Sequence, residues 1–185
     1  MKNLSDAELI ERAVVGGDSE AFRALLDRHY ATIFKFAYHW CGHRQDAEDV
    51  AQEVCMKLAN VLHSYKGESS FTSWLYPIVM NKARDLFRSR TAERKREAGY
   101  VETDALLRES DPSQEDAAIR NEALSAITAL PDDLKATVLL VAGEGLSHRE
   151  AGKILECAEG TVSWRMNKAK ELLAHLSVPG GQRHG

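Results

Sequence analysis

A chain of 185 residues, 44% hydrophobic and 28% charged, suffices for one large domain or two small ones with packed cores and a soluble surface. A net charge of −4 speaks against a simple nucleic-acid binder, and no run of about 18 apolar residues offers a membrane span. Three cysteines, Cys41, Cys55 and Cys157, are odd in number and far apart, and do not suggest a disulfide framework.

The opening residues turn acidic at Asp6 without the apolar stretch of a secretory signal, so a cytoplasmic location is expected. Ser5-Asp6-Ala7-Glu8 has the form of a capping box ahead of Leu9, Ile10 and Ala13, and Gly16-Gly17-Asp18 ends that first helix. A second helix from about Ser19 aligns Phe22, Leu25, Leu26, His29, Ile33, Phe36 and Ala37, and breaks at Cys41-Gly42-His43. A third, from about Asp46, carries Ala47, Val50, Ala51, Val54, Leu58 and Val61. The Gly- and Ser-rich stretch 64–70 reads as a loop. A fourth helix, about Phe71 to Arg90, contains Pro77, which predicts a kink or a late start.

Charge then separates along the chain. Between Lys82 and Arg96 seven bases face two acids, roughly +5 and suited to phosphate, whereas residues 102–116 hold six acids against Arg108 alone. Periodicity is lost over 97–116, read as a linker, and resumes from Ala117 to Leu130. Further helices are expected over Asp132–Ala142, Ser147–Leu155 and about Glu159–Leu176, with a disordered tail over 179–185. The predicted fold is all-α: two small helical domains, 1–96 and 117–178, joined by an acidic linker.

The stretch from Gly145 to Val162 has helix-turn-helix logic. Ser147 can cap a short helix with Glu150 in capping-box position, and Ala151-Gly152 are small where two helices cross. Val162, Met166, Ala169 and Leu173 share one face, while Thr161, Arg165 and Lys168 lie opposite, suited to bases and phosphates. An ordinary helical hairpin with a solvated face would show the same periodicity.

The residues are more specific than the periodicity. Leu130-Pro131, Leu139-Leu140, Gly145-Leu146-Ser147, Glu150-Ala151, Gly160-Thr161-Val162-Ser163-Trp164-Arg165 and Lys168-Ala169-Lys170 resemble region 4 of extracytoplasmic-function sigma factors of the sigma-70 family. The resemblance implies that the last helix recognises the promoter −35 element, through Thr161, Ser163, Arg165 and Lys168, and that the domain sits on the flap of the polymerase β subunit. The chain departs from the pattern at Ala151-Gly152, where Ile-Ala is usual, at Trp164, and at Glu156, which replaces a turn glycine and makes a positive φ less comfortable.

The first half resembles region 2 of the same family, beginning at Phe22–Tyr30. Asp46-Ala47-Glu48-Asp49-Val50-Ala51-Gln52-Glu53 is similar to its polymerase-binding signature, which implies contact with the clamp helices of the β′ subunit through Asp46, Glu48, Asp49, Gln52 and Glu53. Phe71–Arg88 resembles the helix that captures the unpaired −10 strand; Asn81, Lys82, Arg84 and Arg88 would hold base and phosphates, with loop 64–70 framing a flipped base. Trp74 is read as a core anchor. The resemblance also implies an anti-sigma partner and a linker running toward the RNA exit path. No cofactor is expected: His39-Trp40-Cys41-Gly42-His43 lacks the second ligand pair that zinc requires, and no phosphate-loop, nucleophile-elbow or His-Glu-x-x-His motif suggests an enzyme. A sigma-like decoy and a plain helix-turn-helix repressor are the other readings, and the second leaves the Asp46–Glu53 signature without a role.

Overall fold

A computed structural model describes residues 4–97 and 114–176 of the chain; of the linker expected over 97–116, residues 98–113 lie outside the described residues, as does the tail, while Glu97 and 114–116 belong to helices. Helix α1 (Asp6–Val15) starts at the predicted capping box, with Glu8 N–H donating to Ser5 Oγ and Ser5 N–H donating back to the Glu8 carboxylate at 2.7 Å. Helix α2 (Ser19–Cys41) is capped by Asp18, whose carboxylate accepts from Glu20 N–H at 3.0 Å and Ala21 N–H at 3.1 Å. It stops at Gly42, which takes the left-handed φ of 78° with the Thr128 methyl only 3.0 Å from where a β-carbon would stand. Helix α3 (Arg44–Val61) runs into a short 3-10 turn, Leu62–Ser64. Helix α4 (Phe71–Glu97) passes through Pro77 with no late start: it begins six residues earlier, at Phe71, directly after Ser70, whose hydroxyl accepts from Ser73 N–H.

These four helices enclose one apolar core. Leu9, Leu25, Ile33, Phe36, Trp40, Val50, Val54, Leu58, Leu75 and Val79 are all but sealed from water. Trp74 is half-buried in an aromatic cluster with Tyr65 and Phe71, ring centres 5.5 and 5.6 Å away.

The second half comprises α5 (Gln114–Thr128), α6 (Asp132–Val138), α7 (His148–Ile154) and α8 (Glu159–Leu176). The helix expected over Asp132–Ala142 is α-helical only to Val138. From Leu139 to Gly143 it widens into a π turn, in which Glu144 N–H reaches back five residues to the Leu139 carbonyl. The local pattern gives way here to tertiary pairing, because the widened turn brings Glu144 onto the first domain. Its carboxylate accepts from Tyr76 Oη at 2.9 Å and pairs with Lys35 Nζ at 3.1 Å. Ala136, Leu139 and Leu140 from this stretch join the apolar cluster of the first four helices, so the two halves share one core. Leu130, Leu134, Val138 and Ala169 form a smaller cluster that ties α6 to α8.

Candidate polymerase and nucleic-acid interfaces

The acidic signature on α3 divides into two kinds of residue. Asp46 is buried and forms an ion pair with Arg90 of α4, and the same guanidinium donates to Asp49 at 2.7 Å. Glu48 pairs with Arg44 one turn earlier, at 3.0 Å. Asp46 therefore braces α3 against α4. Gln52 and Glu53 are exposed, and Met56, 65% exposed, extends their stripe by one turn. The exposed apolar residue beside them is not part of the acidic motif, and no sequence signal marked it.

On α4, Asn81 and Arg88 are exposed to solvent. Lys82 donates to Glu53 at 2.7 Å, and Arg84 donates to Asp132 of α6 at 3.2 Å. Two of the four residues expected at the −10 strand are thus engaged with carboxylates, one of them from the other half of the chain. Loop 64–70 is held by Tyr65, whose hydroxyl donates to the Ser69 carbonyl at 2.6 Å, beside the Phe71–Trp74 cluster. Ser70 adds a further contact to the Ser73 hydroxyl at 2.8 Å.

The helix-turn-helix is built as its caps predict. Ser147 Oγ accepts from Glu150 N–H, while the Glu150 carboxylate accepts from Ser147 N–H at 2.9 Å and from its hydroxyl at 2.6 Å. These bonds hold the Glu150 carboxyl below its ordinary range, the hydroxyl contributing most. Its share of the cap is therefore present above ordinary carboxylate pH and lost as pH falls through the lowered value. Ser147→Ala should cost the second domain about 1 kcal/mol; an unchanged midpoint in urea would mean that packing alone sets the start of α7. Glu156 adopts φ 51°, the left-handed turn conformation expected where a glycine is usual. Gly152 lies under the turn, with the Cys157 carbonyl 2.8 Å from the place of a β-carbon.

On α8 the buried seam is Val162 and Ala169, with Met166 and Leu173 partly covered. The exposed stripe opposite runs Gly160, Trp164, Asn167, Lys168 and Glu171, flanked by Thr161. Trp164 is 61% exposed. Of the residues expected at −35, Thr161 and Lys168 belong to or flank this stripe. Ser163 instead contacts the His148 ring at 2.8 Å and donates to the Glu159 carbonyl. Arg165 turns back to Asp133 at 3.5 Å and to Cys157 Sγ at 3.7 Å. Arg149 and Lys153 on α7 are exposed and add positive charge to the motif. Among the described residues no group of three or more His, Cys, Asp or Glu side chains could hold a metal ion, and no helix is long and apolar enough to cross a membrane.

Known proteins share this organisation. Residues 25–93 match the Sigma-70 region 2 family and residues 120–173 match Sigma-70, region 4. The RNA polymerase sigma-H factor of Pseudomonas aeruginosa is 33% identical, the alignment covering 94% of each chain. The ECF RNA polymerase sigma-E factor of Haemophilus influenzae is 30% identical, covering 96% of this chain and 98% of its own. In fold, the chain is similar to the sigma factor RpoE solved with the anti-sigma factor NepR from Bartonella quintana. The TM-score is 0.67 at 24% identity, over 84% of this chain and 95% of that one. Two regions in this order, matched over nearly the whole length, mean that the chain belongs to the sigma-70 family, as an extracytoplasmic-function RNA polymerase sigma factor.

Proposed function

We propose that this sigma factor directs initiation through three separate surfaces: the exposed edge of α3 for core polymerase, the outer face of α4 for the −10 strand, and the α8 stripe for the −35 duplex. It acts as a binding subunit with no chemical step of its own, in the cytoplasm where polymerase works. The observation that carries the reading is the arrangement of α8. Its apolar seam is buried on α6 while a polar stripe containing Lys168 and one large exposed ring faces outward.

Gln52, Glu53 and Met56 meet the β′ clamp helices, the acids steering toward a basic surface and the methionine adapting to it. Asp46, Glu48 and Asp49 position that edge through Arg90 and Arg44. Asn81 faces the unstacked base while Lys82, Arg84 and Arg88 hold phosphates; Lys82 and Arg84 must first leave their carboxylate partners. Region 4 rests on the β flap. An anti-sigma factor controls the chain, a reading supported by its likeness in fold to a sigma factor solved with such a partner. Run-off transcription with core polymerase on a pool of promoters tests the whole. Transcripts that depend on the protein and share a −35/−10 pair support it; absence of core binding would return the chain to simple helix-turn-helix regulation.

At −35, Trp164 and Lys168 of the stripe meet the groove, with Thr161 beside them and Ser163 and Arg165 bracing the helix. An exposed indole among polar neighbours suits the thymine methyl, the apolar feature of the major groove. Replacing a −35 thymine by deoxyuridine removes one methyl, worth about 0.8 kcal/mol or roughly fourfold in affinity. Wild-type protein should register that loss in fluorescence anisotropy, and Trp164→Ala should bind both duplexes equally. Discrimination that survives in Trp164→Ala would remove the indole from base reading.

A further inference from the structure

Helix α1 belongs to none of the three surfaces proposed for core, −10 and −35, yet its first residue reaches toward one of them. An acid in a first turn serves the helix dipole from any exposed position. Asp6 instead crosses to α2 and bridges two neighbouring side chains there. One carboxylate oxygen accepts from Arg28 Nη1 at 2.6 Å, and the same guanidinium donates to the Leu4 carbonyl at 2.7 Å. The other oxygen lies 2.9 Å from Nε2 of His29. A carboxylate only accepts, so Nε2 carries the hydrogen, and the bond fixes which way the imidazole faces.

His29 is buried, and its ring stands behind the aromatic cluster at the end of loop 64–70. Its centre is 4.8 Å from that of Phe71, with the rings inclined at 62°. Phe71 meets both Tyr65 and Trp74 at 5.6 Å, and Tyr65 meets Trp74 at 5.5 Å, all within the range of aromatic pairing. Phe71 is buried at the back, whereas Tyr65 and Trp74 are partly exposed in front of it. Tyr65 closes the loop through its bond to the Ser69 carbonyl, and Trp74 stands two turns ahead of Asn81 on one side of α4. Phe71 opens α4, where no preceding turn holds it, so its support comes from outside the helix.

Two further contacts carry α1 toward the same loop. The helix packs on the 3-10 turn Leu62–Ser64, which leads into it. Burial, and after it the charge of Asp6, holds the Tyr65 phenol above its ordinary range, so the field of the carboxylate reaches the loop itself.

We propose that Asp6 is a positioning residue for −10 strand capture: through His29 it sets the wall of Tyr65 and Trp74, backed by Phe71, against which the unstacked base is held. The proposal rests on the reading of α4 and loop 64–70 as the −10 site. Stacking on a ring adds affinity only if the ring is already in place, because a wall that is ordered on binding gives back entropy. Arg28 holds the same carboxylate from the solvent side, its side chain 33% exposed against 10% for His29. Tether and relay are therefore separable by substitution.

The test uses the full-length chain on core polymerase, with single strands carrying the −10 element of a promoter that the protein transcribes in run-off. The fluorescent base 2-aminopurine, bright when its neighbour leaves the stack, is placed beside each −10 base in turn. Wild-type holoenzyme should brighten one position. Asp6→Ala should dim it and weaken strand binding about fivefold or more, the worth of one stacked base. Core affinity and −35 duplex affinity should stay within about twofold. Asp6→Asn keeps an oxygen for the His29 N–H and should keep the signal. Arg28→Ala cuts the tether, leaves the relay and should keep it too. His29→Phe retains a buried ring without the bond to Asp6 and should dim the same position, which carries the test if Asp6→Ala does not fold.

Urea titration followed by circular dichroism reports the folding of each variant. Wild-type brightness in folded Asp6→Ala or in His29→Phe would overturn the proposal. Equal dimming in Arg28→Ala would do the same, because α1 would then be a tether and nothing more. The absence of any bright position with wild-type protein is a different result: the −10 reading itself fails and takes the proposal with it.

Discussion

Trp40→Ala is expected to cost roughly 3–5 kcal/mol of unfolding free energy, the range for a large aromatic removed from a packed core. Trp40 is 1% exposed, packs beside Phe36 and carries the cations of Lys135 and Arg84 on its ring. Its Nε1 has no hydrogen-bond partner, so its contribution lies in packing and in the ring itself. Against a total stability of about 5–15 kcal/mol the loss is large, and part of the variant should be unfolded at growth temperature. Trp40→Phe keeps a ring and most of the volume and should cost under about 2 kcal/mol. Urea titrations followed by circular dichroism separate the two; a Trp40→Ala cost below 1 kcal/mol would mean that the site collapses around the gap.

Glu53→Lys should weaken core polymerase binding by more than tenfold while leaving stability nearly unchanged. Glu53 is exposed, and its pair with Lys82 is a surface ion pair, worth about 0–1 kcal/mol. Reversing its charge on the face proposed to meet basic helices would place like charges together, which costs several kcal/mol at an interface. Asp46→Asn should do the reverse. It leaves the partly buried Arg90 short of a partner and should destabilise the first domain by about 1–2 kcal/mol, with a smaller effect on core affinity. Affinity by surface plasmon resonance and stability by urea titration test both variants; if Glu53→Lys binds core as tightly as wild type, the polymerase surface lies elsewhere.

Legibility in the sequence followed the range of each interaction. Both capping boxes, Ser5–Glu8 and Ser147–Glu150, act over three residues and were readable before any fold was known, as was the strained turn at Glu156. So were the helix stops at Gly16 and Gly42 and the division into two helical units with an acidic segment between them. The partners of the charged residues were not. Periodicity shows which side of a helix Arg84 or Asp49 occupies but not which carboxylate or guanidinium arrives from 48 or 41 residues away. The same limit hid the burial of Lys135, an ordinary helix residue until the rings of Trp40 and Phe87 close over it. On α8, spacing pointed to Arg165, whereas the pull of Asp133 turns that side chain inward and leaves Trp164 outermost.

The order of these elements along the chain has a consequence for synthesis on the ribosome. The indole of Trp40 is covered partly by a residue made 95 positions later (135 − 40), and α4, the last helix of its own domain, is in place well before α6 emerges. Phe87 and Lys135 are 48 positions apart, which at about 5–20 residues per second is some 2–10 seconds of translation. For that interval a folded first domain presents an uncovered aromatic face to the crowded cytosol. Nascent chains paused in that window would be the ones that chaperones find.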